Sequence, residues 1–126
     1  MIVLDKTTRK LQIVLGSAPA AELYVQVVYF DEVRERAEGT GEIYKSPHRT
    51  QLSRSNNTTD ADICDAPALP NAVRNIEKVS VHNSNAGAVT ATIKIDDSGT
   101  DSITKTHAIG AGQTLNYENQ YGWSIN

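Results

Sequence analysis

Three histidines, one cysteine and a few clustered carboxylates are the groups in this 126-residue chain best suited to chemistry. His82 and His107 fall in segments of alternating pattern and could hold a metal across strands. His82 shares a face with Ser80, opposite Val79 and Val81, and His107 shares one with Ile103 and Lys105. Lys105 would repel a cation there, and local spacing places no carboxylate beside either ring. A structural role for both is the stronger reading, and no metal or other cofactor is expected. Asp96-Asp97-Ser98-Gly99-Thr100-Asp101 is superficially like a calcium loop. It lacks the ligand spacing and the closing bidentate glutamate, and reads as a hairpin turn. Gly110-Ala111-Gly112 does not open a helix, so it is no phosphate cradle. Cys64 is alone, which excludes an internal disulfide and points to a small buried hydrophobe made in a reducing cytoplasm. Asn56 and Asn57 each begin a glycosylation sequon, which carries no weight without a signal peptide. Neither a Ser/His/Asp order nor a paired-carboxylate framework stands out, and the chain is not expected to be an enzyme.

Side chains suited to binding are easier to find. Tyr117, Tyr121 and Trp123 could form a sugar-stacking platform, or could equally plug the end of a β-sandwich, which is the favoured reading. Arg34, Arg36, Arg49, Arg54 and Arg74 lie mostly in the first half, in segments that read as loops. They are either solvated charges or contacts for an acidic partner surface. Net charge is −3, so no domain-wide positive field draws nucleic acid. The start, Met1–Lys10, is too short for a signal peptide, and nothing is long and apolar enough to span a membrane.

The elements that must position these groups are strands. In Lys10–Leu15, Leu11, Ile13 and Leu15 point one way, with Lys10 and Gln12 on the other face. Glu22–Phe30 is apolar on both faces: Leu23, Val25, Val27 and Tyr29 on one, Tyr24, Val28 and Phe30 on the other. Such a strand needs cover on both sides, and in a small sheet protein the second cover is often another subunit. Asp31–Arg36 reads as a hairpin arm or loop, and Glu38–Glu42 as a turn. Ile43–Lys45 is a short strand stopped by Pro47. Gln51–Asn75 is the least regular part, with a short strand at Ile63–Cys64 and an extended connection at Ala66–Asn71. Strands follow at Ile76–Asn83, with Val79 and Val81 inward, and at Val89–Ile95. Three more follow at Ser102–Ala108, with Ile103 inward, at Thr114–Tyr117 and at Trp123–Ile125. Short strands separated by Gly, Asn and Asp turns predict a single all-β domain, an antiparallel Greek-key or jelly-roll sandwich over residues 1–126.

Several stretches of the second half occur in a particular order. An Ala66-Pro67 connection precedes Arg74-Asn75-Ile76 entering a strand. His82-Asn83 ends that strand, and Thr90-Ala91-Thr92 lies on the return. A hairpin containing Gly112, Thr114, Leu115 and Tyr117 then closes on Gly122-Trp123. Thr7–Ser17 adds a matching start. This order resembles a module of small virion proteins of tailed bacteriophages, and most of all the jelly-roll capsid cement, or decoration, proteins of podophages. The resemblance covers about three quarters of the chain and is weakest at 31–54. It implies a β-sandwich that binds the outside of an icosahedral shell, often as a homodimer on a local two-fold axis, and clamps neighbouring major capsid subunits. It implies no catalytic residue and no cofactor, and neither nucleic acid nor membrane is an expected direct partner. A tail, fibre or adaptor module of the virion and a carbohydrate-binding sandwich are the alternatives.

On this reading the contact residues are Met1, Ile2, Val3 and Leu4, which could add a strand to a neighbour, and Tyr24, Val28 and Phe30 on the second apolar face. Arg34, Arg36, Arg49 and Arg54 complete the expected surface.

Overall fold

A computed structural model of the chain describes residues 1–34 and 43–126. The expected turn at Glu38–Glu42 and Arg36 lie outside the described residues. Eleven strands are described: β1 (Ile2–Leu4), β2 (Arg9–Leu15), β3 (Leu23–Arg34), β4 (Ile43–Lys45), β5 (Arg49–Ser55), β6 (Ala61–Cys64), β7 (Ala72–His82), β8 (Val89–Asp97), β9 (Thr100–Ile109), β10 (Thr114–Glu118) and β11 (Gly122–Ile125). Among the described residues there is no helix, and hence none able to cross a membrane.

The strands form two antiparallel sheets packed face to face, a β-sandwich. In the first sheet the order is β11-β10-β7-β3. β1 runs beside the first half of β7, in line with β10, while β4 and β5 share the far edge of β3. The second sheet has the order β6-β2-β8-β9. Successive strands often switch sheets, as the long connections of the sequence require.

Alternation explains the core. Val25 pairs with Val81 and Val27 with Val79, and all four point inward. Leu11, Ile13 and Leu15 of β2 and Ala91 and Ile93 of β8 face them from the second sheet. Burial of these branched side chains contributes roughly 1.5–3 kcal/mol each. The hairpin between β8 and β9 turns on two residues only. Ser98 and Gly99 have φ values of 51° and 95°, as a tight turn matching strand twist demands.

Besides a register shift at Ile63 of β6, two bulges redirect side chains. In β7, Lys78 pairs with Val28 but Ile76 pairs with Tyr29, so Glu77 is the extra residue. The bulge lets both arms of the β3–β7 pair keep apolar groups inward while the ladder runs on to Arg34. Asp31–Arg34 is therefore strand, where the charged sequence suggested a loop. Inside this extension the Arg74 guanidinium makes a double contact with Asp31, 2.8 and 3.0 Å, and also donates to the Asp65 carbonyl at 2.7 Å. It lies 4.2 Å from the centre of the Tyr29 ring. Burial opposes its charge, but Asp31 outweighs that and raises its pKa above the ordinary value. Arg74 is thus a plug for one end of the sandwich rather than a loop charge.

The second bulge lies in β9. Lys105 pairs with Ile93, yet Ile103 pairs with Lys94, leaving Thr104 as the extra residue. Ile103 was expected inward. The bulge turns it to the outer face, where it is 71% exposed. Lys105 and His107, paired with buried Ile93 and Ala91, lie on the opposite, inner side.

Candidate functional site

The even-numbered residues of β3 put Tyr24, Gln26, Val28 and Phe30 on the outside of the first sheet, as strand alternation requires. Register then sets their neighbours. One row across the sheet is Thr114–His82–Tyr24–Arg54 and the next is Asn116–Ser80–Gln26–Leu52. A third is Glu118–Lys78–Val28–Thr50. The first two rows border an open hollow of about 630 Å³. Tyr24 is 50% exposed and Leu52 74%, so an apolar stripe faces solvent on a sheet whose other side is already core.

The polar groups of the hollow are donor-rich. Arg54 lies over the Tyr24 ring, 4.9 Å from its centre, and has no carboxylate partner among the described residues. The ring holds the guanidinium in place while its N–H edges stay available. His82 Nδ1 lies 2.9 Å from Thr114 Oγ1, which fixes the ring and leaves Nε2 without a partner among the described residues. Ser80 donates to Asn116 Oδ1 at 2.8 Å. No Asp or Glu lines the hollow. Among the described residues that strand pairing places on this outer face, Arg34, Lys45, Arg54 and Lys78 stand against Glu32 and Glu118.

The outer face of the second sheet is the reverse. Lys94 Nζ reaches Asp60 and Asp101, each at 2.8 Å, and these contacts raise its pKa, Asp101 contributing most. Lys10 and Gln12 both engage Asp62, whose pKa is lowered chiefly by the Gln12 amide. Thr8 and then Arg9 lower that of Asp97. Lys10 and Lys94 face Asp60, Asp62, Asp96 and Asp101, and both cations are spoken for.

Several expected contact residues do belong to the first sheet's outer face. Tyr24, Val28, Phe30 and Arg54 lie there together, with Phe30 against the His48 ring at 5.2 Å and beneath Lys45. Arg34 ends β3 on the same face and is exposed. Arg49 is exposed at the start of β5 but pairs with Tyr29, on the opposite alternation. The N-terminal segment pairs within the chain along one edge. Ile2 and Leu4 are buried in the core, and β1 pairs with β7 of the same chain. The Ile2 N–H donates to the Tyr117 hydroxyl at 2.9 Å. The edge of β1 facing β7 is used internally, on the stretch from Arg74 to Ile76 that β10 does not cover. Met1 is exposed, and Val3 is half-buried on the outer side.

The other candidates also separate. Tyr117 is buried, with its ring 5.1 Å from that of Trp123, whereas Tyr121 is 80% exposed. The three rings therefore form no shared platform. His82 belongs to the first sheet and His107 to the second, where it borders a smaller hollow beside Trp123 and Ile125. Their strands do not pair.

Sequence reasoning missed Leu52 and the role of Asn83. Thr50, Leu52 and Arg54 alternate with Gln51 and Ser53, but one apolar residue in seven hides the strand. Asn83 is fully buried, and its amide donates to the carbonyls of Gly87 and Ile109, each at 2.9 Å. Its oxygen accepts from Asn85, whose own amide donates to Ala21. The His82-Asn83 strand end thus stitches three loops together. No protein-family model matches the sequence, and neither a curated protein nor a solved structure is significantly similar to it.

Proposed function

We propose that this chain is a capsid cement protein of a tailed bacteriophage, which binds the outer surface of the shell and clamps neighbouring major capsid subunits. Two things support the reading. One is the resemblance of the ordered stretches between Ala66 and Trp123 to such proteins. The other, which carries it physically, is the outer face of the first sheet. Tyr24 and Leu52 are exposed there, with half-buried Val28 and Phe30 alongside, next to an arginine without a carboxylate partner among the described residues. A face of this kind suits docking, since aromatic and arginine side chains dominate interface energies. A protein held by several small contacts gains avidity from the fixed geometry of a shell.

The protein's location on this reading is the virion exterior, after synthesis in the host cytoplasm. A second copy is the other partner the reading includes, and light scattering of the isolated protein measures that directly. The deciding experiment is a count. Quantitative gels of purified particles should show this chain in numbers comparable to the major capsid protein. A handful of copies per particle would instead make it a tail, fibre or adaptor component, and absence from particles would end the reading.

A further inference from the structure

We infer that the hollow on the outer face of the first sheet docks an acidic, leucine-bearing segment of a partner protein, with Arg54 pairing its carboxylate and Leu52 covering its apolar side chain. That the partner is a shell subunit rests on the cement reading. Its chemistry rests on the hollow alone.

Three observations carry the inference. First, among the described residues the one charged side chain lining the hollow is Arg54, and no carboxylate lines it. Arg54 lacks a carboxylate partner and His82 Nε2 a hydrogen-bond partner among the described residues, and the described residues paired onto this face include four cations and two carboxylates. A partner surface rich in Asp or Glu is the electrostatic complement. Second, Arg54 is already stacked on Tyr24. Holding the guanidinium in advance removes part of the ordering cost of forming a two-pronged contact with a carboxylate. Third, the apolar part of the site is an aliphatic side chain, Leu52, and one face of the tyrosine is taken by Arg54. A sugar would need that ring face for stacking, whereas a leucine needs only an apolar neighbour. A second copy is a poor occupant for the same electrostatic reason. Two-fold self-pairing would set this positive face against itself.

The test uses the full chain and a fluorescein-labelled peptide in which glutamates flank two leucines, read by fluorescence anisotropy. Saturable binding is expected, and it should weaken as salt rises. The same peptide with lysines in place of glutamates should not bind. Arg54→Glu and Leu52→Asp should each weaken binding roughly tenfold or more, with Arg54→Gln intermediate. Ile103→Asp on the opposite face should leave binding unchanged, and thermal melts establish that each variant is folded. Equal binding of the acidic and basic peptides, no binding, or indifference to Arg54→Glu would overturn the inference. So would an Arg54-dependent preference for oligogalacturonate over the peptide, which would make this a glycan site. A solution dimer that Leu52→Asp dissolves would give the face to a second copy and overturn it too. The particle count judges the cement reading separately, so the two can fail independently.

Discussion

Removing the carboxylate of Asp31 should destabilise the protein far more than removing a surface charge. Arg74 is 7% exposed, and its guanidinium is held by both Asp31 oxygens, at 2.8 and 3.0 Å. In Asp31→Ala the positive charge stays inside the sandwich end with the Asp65 and Ala66 carbonyls and the Tyr29 ring but no counter-charge. Breaking a buried pair from one side costs about 3–5 kcal/mol. The remaining contacts place this case at the low end, about 3 kcal/mol, or a fall in Tm of about 10 °C for a domain of this size. Arg74→Met should cost a similar amount, because it strands the carboxylate. The double variant Asp31→Leu with Arg74→Met removes both charges and their desolvation together. It should lie within about 1 kcal/mol of the natural protein. Urea unfolding followed by the fluorescence of the single tryptophan, Trp123, measures all four corners of the cycle. A cost below about 1 kcal/mol for Asp31→Ala, as for an exposed pair, would refute the reasoning. So would single costs that simply add in the double variant.

Other outcomes follow from equally specific contacts. Asn83→Ala orphans the buried Ile109 carbonyl and the Asn85 N–H, at about 1–3 kcal/mol for each group left unpaired, and urea unfolding reads the loss. Tyr117→Phe keeps the ring but leaves the Ile2 N–H without its acceptor, so it should cost about 1–3 kcal/mol by the same measurement. Burial pushes the Cys64 thiol up to about 11, so a thiol reagent at pH 8 should label the protein only after denaturant is added. Asp62, Asp97 and Asp101 are held below the ordinary carboxylate value by Gln12, Thr8 and Lys94 respectively. Their contribution to stability is therefore complete above about pH 4 and is lost as pH falls through their lower folded values. Urea midpoints measured between pH 5 and pH 2 should fall, and less steeply in Asp97→Asn.

What the sequence revealed, and what it hid, divides along physical lines. The strands of β2, β8 and the later half of β7 were legible because one face is buried and one is wet, which leaves a period of two in the residue types. The β5 strand was not, because only Ser55 is buried and, Leu52 apart, its residues are polar on both faces. Bulges are the second blind spot. Nothing in Ser102–Ala108 marks Thr104 as the extra residue, so Ile103 was assigned to the wrong side. The third is the N-terminal strand. Ile2 and Leu4 look available for a neighbour until β7 is seen to offer an unoccupied length of edge within the same chain. Of the site's outer face, Tyr24, Val28 and Phe30 were readable from β3 alone, whereas Leu52 on β5 was not. The polar half needed cross-strand register, because Arg54, Tyr24 and His82 are distant in sequence and adjacent only through pairing.

The two outer faces differ in a way that bears on which one does the work. On the second sheet, cations and carboxylates neutralise one another at hydrogen-bond distance: Lys94 with Asp60 and Asp101, Lys10 with Asp62, Arg9 with Asp97. A partner arriving there would have to strip these groups of water and gain little, since their charge is already answered. On the first sheet the opposite holds. Arg54 lacks a counter-charge among the described residues, and Leu52 lacks cover. Under the proposed docking, a partner would cover Leu52 and answer the Arg54 charge. The bulged, extended β3–β7 pair reinforces this. It is anchored at one end by the buried Arg74–Asp31 contact, so the face it presents is a rigid strand surface. A rigid surface loses little ordering entropy on contact, and many copies acting through small, preformed contacts can hold a large assembly without any one of them binding tightly.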